Sequence, residues 1–178
     1  MEPEYIARIR LLRACPEALR WCAQHASLAA AWAACERGDW MLWLLGKLAG
    51  PPKSDSRKAL VLAACECARL ALPCVSADEE RPLKAIETAE SWARGEASMD
   101  DLRAAAYDAA AAAAADAADA AADAAAYAAY AAADAADAAD AAAYARARTL
   151  TQCADIVRKH YPAPPELGEQ PAEHGNSW

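Results

Sequence analysis

Between Ala104 and Ala145 the chain uses three residue types only: 31 Ala, 7 Asp and 4 Tyr. Neither Gly nor Pro occurs from Met99 to His160. Alanine is the strongest helix former, so this composition forces α-helix almost throughout. A single rod over these residues would be about 90 Å long at about 1.5 Å per residue. The expectation is therefore either one helix reaching past the body of the protein or two helices joined at a break that composition does not mark.

The polar residues of the tract are ordered. Asp116, Asp123, Tyr130, Asp137 and Tyr144 recur every seven residues; Asp119 and Asp140 flank that line on one side, Tyr127 and Asp134 on the other. At about 100° per residue these nine fall within an arc of about 140°, Asp108 joins them, and only Tyr107 lies clearly off it. The rest of the circumference is alanine, a flat face that lets another helix approach closely while each methyl buries little area. Asp in mid-helix loses up to about 0.7 kcal/mol against Ala. Like charges at i+3 and i+4 cost about 0.2–0.5 kcal/mol more per pair. Glu would keep the chain soluble at lower cost.

Three readings of the stripe follow. It is the solvated face of a low-complexity repeat; or an interaction surface whose line of carboxylates imitates a run of phosphates toward a basic protein, with the tyrosines adding contact area; or a face turned to the arginines of its own fold or to a second copy of the chain. Of the net charge of −8, the tract carries −7 and the other 136 residues sum to −1. The acidity is local and has the wrong sign for direct nucleic-acid binding.

The first 98 residues read as short, punctuated helices: Glu4 to Ala14, Pro16 to about Gln24, and a third capped by Ser27 with Gly38 as its C′ residue. Asp39 then caps the apolar run from Trp40, Ser54 or Ser56 opens the next helix, and Pro82 opens the last, closed by Gly95. Trp21, Trp32, Trp40, Trp43 and Trp92 are assigned to helix-on-helix core packing. Ser98 and Asp101 form a cap for the helix that follows. The expected fold class is all-α: an N-terminal multi-helix bundle (1–98), an Ala/Asp/Tyr-rich helix or helix pair (99–161) packed on or extending from it, and a Pro- and Glu-rich disordered tail (162–178).

Several function classes are excluded. The apolar stretch Trp40 to Leu45 is far short of a membrane span, and the N-terminus lacks a signal-peptide core, so a cytoplasmic protein is expected. Seven cysteines with no CxxC pair point to reduced thiols rather than disulfides or zinc. His25, His160 and His174 have no acid or Cys at metal-ligand or triad spacing, no Gly-rich phosphate loop is present, and carboxylates along a straight helix cannot converge on one ion. No catalytic residue, metal or cofactor is expected. Arg37-Gly38-Asp39 spells an adhesive tripeptide, but a C′ glycine followed by an N-cap accounts for it.

ERGDWMLWLLGKL (Glu36 to Leu48), ALVLAACECARLALP (Ala59 to Pro73), RPLKAIETAESWARGEAS (Arg81 to Ser98), the Ala/Asp/Tyr tract and CADIVRKHYPAPP together resemble an all-helical family of immunity-like proteins from bacteria and phages. The resemblance implies a non-enzymatic protein that neutralises another. The partner-binding residues expected are Asp116, Asp119, Asp123, Tyr127, Tyr130, Asp134, Asp137, Asp140 and Tyr144, facing a target with a basic surface. The alternatives are a self-assembling helical protein that dimerises through the alanine face and a helical pocket for a small nucleotide signal.

Overall fold

The computed structural model of the chain describes residues 3–51, 54–75, 78–110 and 134–168. Among them every regular element is helical: α1 (Glu4–Leu11), α2 (Pro16–Cys22), α3 (Leu28–Ala34), α4 (Gly38–Leu48), α5 (Asp55–Arg69), a 3₁₀ turn (Leu72–Cys74), α6 (Arg81–Arg94), α7 (99–110) and α8 (Asp134–His160). Whether α7 and α8 are one helix or two is decided at 111–133, outside the described residues.

The local punctuation is chemical. The Ser27 hydroxyl accepts from Ala30 N at 3.1 Å, and Ser54 does the same for Arg57 N, filling donors a helix start leaves open. Gly95 ends α6 at φ +84°, a conformation that side chains resist. Ser98 and Asp101 form a reciprocal box: Ser98 N donates to Asp101 Oδ2 (2.9 Å) and Asp101 N to Ser98 Oγ (3.1 Å). At the far end of α4, the Arg57 guanidinium donates to the carbonyls of Gly46, Ala49 and Gly50.

Two expectations are corrected around Arg37. α3 ends at Ala34 rather than near residue 37, and Gly38 is the first residue of α4 instead of a C′ residue. What requires glycine there is a crossing: a Cβ on Gly38 would run into Cys153 Cβ and lie 2.6 Å from Ala154 N, both on α8. Asp39 makes no cap; it pairs with Arg37, which forks onto its two oxygens at 2.9 and 2.7 Å. That hydrogen bonding, opposed by partial burial, holds the Asp39 carboxyl below its ordinary range.

The main core forms where the last turns of α8 lie against α4 and α5. Ala154 and Val157 are fully buried, with Trp32, Met41, Leu44, Leu45 and Leu60 around them. Trp32 Nε1 donates to Tyr161 O at 3.0 Å. Arg158 Nη1 donates to the carbonyls of Cys35 (2.6 Å) and Trp32 (3.3 Å), closing the C-terminus of α3. Cys67 donates weakly to Cys153 O at 3.7 Å, and burial pushes its thiol up to about 12, so it behaves as an inert apolar group. A smaller cluster of Ile6, Ile9 and Cys22 joins α1 to α2. α5 and α6 form the outer pair, tied by Arg69 forked onto Glu90 at 2.9 Å.

The chain after α8 departs from a disordered tail beginning at Pro162. Leu167 packs against both clusters, and Arg8 donates to its carbonyl. Apolar contact and a charge-assisted hydrogen bond order this stretch despite its proline content. Residues 169–178 lie outside the described residues.

Candidate partner-binding site

Alanine makes α8 a helix, but it is the larger residues past Ala147 that fix its orientation. Leu150 and Cys153 are half-buried and Ala154 and Val157 wholly buried. They define the side of α8 that meets the bundle. At about 100° per residue, positions 134, 137 and 144 fall roughly 130–150° around the axis from that side, and position 140 only about 90°. Tyr144, the one of the nine whose side chain is described, is 68% exposed, with the Arg148 guanidinium 6.0 Å from its ring centroid. Asp134, Asp137 and Asp140 share this helix. Asp116, Asp119, Asp123, Tyr127 and Tyr130 lie outside the described residues.

On α7, Tyr107 is 77% exposed and Asp108 is exposed. Asp108 joins Asp101, Glu87 and Glu96 around a groove of about 490 Å³ between α6 and α7, where Lys84 is the only base in the lining. Two of these carboxylates are engaged locally: Glu96 with Arg94 at 2.8 Å, and Asp101 in the Ser98 cap. Glu87 and Glu96 escaped sequence reasoning, which looked for carboxylates only within the alanine tract; the apolar spacing of α6 would have placed Glu87 on its solvent side.

A second groove, of about 460 Å³, opens where α8 meets the body. Glu17 and Trp21 of α2, Glu36 and Arg37 of the α3–α4 link and Trp40 of α4 form one side; Arg146, Ala147 and Leu150 of α8 form the other. The tryptophans thus divide. Trp32 and Trp92 are buried as expected, whereas Trp21, Trp40 and Trp43 are half-buried, and the first two line this groove. The Arg37 guanidinium sits 4.2 Å from the Trp40 ring centroid and 3.4 Å from Glu17. Trp21 stacks obliquely on His25 (centroids 4.6 Å), and Trp21 Nε1 and His25 Nε2 are buried without a hydrogen-bond partner among the described residues.

His160 and Lys159 both meet Glu66, at 2.7 and 2.8 Å; Lys159 foremost and His160 next hold that carboxyl below its ordinary range. Among the described residues no group of three or more His, Cys, Asp or Glu is placed to hold a metal ion, and no helix is long and apolar enough to cross a membrane. What the surface offers chemically is carboxylates that accept from bases, beside exposed phenols and half-buried indoles that supply contact area.

Residues 51–159 match the model of the family described as Imm-5 like putative immunity protein. No curated protein and no solved structure matches the chain. The matched residues span α5 to α8, including the Ala/Asp/Tyr tract and the turns of α8 that complete the core.

Proposed function

This chain belongs to the Imm-5 like immunity protein family, and from that premise we propose that it is a non-enzymatic inhibitor whose Asp/Tyr stripe occludes a basic surface of a partner protein. Membership supports an immunity-type role and a protein partner. The electrostatic mode of binding is our reading, and one observation carries it: positions 134, 137 and 144 of the stripe lie far around α8 from the face that builds the core, and Tyr144 among them is exposed. The stripe also concentrates nearly all of the net charge. A row of like charges raises the encounter rate with a basic site and selects against acidic ones. The target class such a row fits is a protein whose own ligand is a polyanion, such as a nuclease.

The test is a salt titration against a partner co-purified from the native host. Affinity is expected to fall steadily as ionic strength rises. The variant with Asp116, Asp123, Asp134 and Asp137 replaced by Ala is expected to bind at least about ten-fold more weakly, the equivalent of about 1.4 kcal/mol. Affinity indifferent to salt, or unchanged in that variant, removes the electrostatic mode.

A further inference from the structure

We propose that Cys67 and Cys153 form a redox-active dithiol, which a hydroperoxide converts into a disulfide that fastens the root of α8 to α5. The proposal is independent of the stripe, since it concerns a junction inside the body of the protein. Two sulfurs meet there from residues 86 positions apart. Cys67 Sγ donates to Cys153 O at 3.7 Å, and the Cys153 thiol is near enough to act on Cys67 through both its charge and a side-chain hydrogen bond. No other pair of described cysteines is joined in this way. Cys65 donates instead to Ile86 O, Cys35 to Arg37 O, and Cys15 accepts from Ala18 N, while Cys35 acts on Cys22 by charge alone.

The two thiols have different access to solvent, and this sets the order of events. Cys153 is half-buried at the Gly38 crossing, whereas Cys67 is buried in the main core cluster beside Ala154 and Val157. The thiolate of Cys153 attacks one oxygen of the hydroperoxide. The O–O bond breaks, Cys153 becomes a sulfenic acid, and the other oxygen leaves as water or an alcohol carrying the thiol proton. The Cys67 sulfur then attacks the Cys153 sulfur. An S–S bond forms, the S–O bond breaks, and the hydroxyl leaves as water with the Cys67 proton. In sum two thiols lose two hydrogens and the peroxide is reduced. Burial keeps Cys67 protonated and inert toward solutes that must reach it through solvent. Against a sulfur already beside it, proximity supplies what nucleophilicity lacks. The bridge closes a long loop and ties together the helices whose packing holds α8 to the body, so it restricts the unfolded chain strongly.

The experiment treats the full reduced chain with hydrogen peroxide, blocks remaining thiols with N-ethylmaleimide and maps the peptides by tandem mass spectrometry. The monomer is expected to lose two hydrogens, with the link placed at Cys67 and Cys153, and dithiothreitol is expected to reverse it. The thermal midpoint of the bridged chain is expected to rise by roughly 5–10 °C. Cys153→Ala is expected to show neither link nor rise, and Cys15→Ser, outside the pair, to show both. A link through Cys65, oxidation confined to the exposed Cys15, Cys153 carried to the sulfinic acid with Cys67 still reduced, or a bridge that forms only after urea has unfolded the chain would each overturn the dithiol. A bridge that leaves the midpoint where it was would overturn its role as a fastening.

Discussion

One helix, α8, carries two regions with opposite duties. From Leu150 to His160 its side chains are varied, with Ala154 and Val157 fully buried, and the segment joins α3, α4 and α5 through Val157, Arg158 and the Gly38 crossing. From Asp134 to Ala147 the same backbone continues with Ala, Asp, Tyr and Arg, and the side chains described there, from Ala143 on, are exposed. Helix propensity favours both halves. What separates them is side-chain size: methyl groups bury too little area to hold a helix to a body, whereas Leu, Val and Trp bury enough. The region matched by the family model therefore contains both a structural brace and an exposed extension of the same helix.

Four changes probe that division by unfolding measurements, beginning with the most damaging. Trp32→Ala removes the largest side chain against the lower half of α8, together with its hydrogen bond to Tyr161 O; urea unfolding is expected to show a loss of about 4 kcal/mol. A loss under about 1 kcal/mol would mean that this half does not brace the fold. Gly38→Ala forces α4 and α8 apart at a backbone contact, and about 3 kcal/mol is expected by the same assay. Arg158→Met keeps the packing stem but leaves the carbonyls of Cys35 and Trp32 short of a donor, for which about 2 kcal/mol is expected. At the bottom of the scale, replacing Asp134 and Asp137 with Ala should leave the thermal midpoint unchanged or slightly raised, by the equivalent of less than about 1 kcal/mol, because Ala is the better helix former and a like-charge pair is removed.

Acid sharpens the same contrast. Asp39, Glu66 and Glu90 are held below the usual carboxylate range by Arg37, by Lys159 with His160, and by Arg69 respectively. Their folded-state values lie below their unfolded ones, so their stabilising effect is complete above about pH 4–5, where the unfolded chain's carboxyls are ionised, and is lost as pH falls through the folded values. Stability measured from pH 6 to pH 2 should fall most steeply below about pH 4. Asp39→Asn should flatten that slope, although its effect at neutral pH is modest because these pairs are partly exposed.

Helix was readable wherever one residue type set the outcome: the Ser27 and Ser54 caps, the Ser98–Asp101 box and the left-handed Gly95 follow from local chemistry that needs no partner. The roles of Gly38 and Asp39 were not, since the first depends on α8 passing over it more than 100 residues later and the second on which way Arg37 turns. Leu167 is similar: composition favours a loose tail, and only the pocket between two clusters makes its burial worthwhile. For the candidate site, periodicity gave the shared arc of the stripe, whereas the core face of α8 was set by packing against α4 and α5 that the sequence did not mark. Periodicity gave no hint of the groove at the root of α8, whose residues come from α2, the α3–α4 link, α4 and α8, nor that Trp21 and Trp40, packed against the core clusters, also line it.

The division of α8 is tested most directly by residue-resolved amide hydrogen exchange, on the free chain and on its complex with the co-purified partner. The account predicts that in the free chain residues 150–160 exchange at rates near global unfolding while 134–147 exchange orders of magnitude faster, and that the partner slows 134–147 and leaves 150–160 as they were. Equal protection of both halves in the free chain, or partner-induced protection that bypasses 134–147, would contradict it.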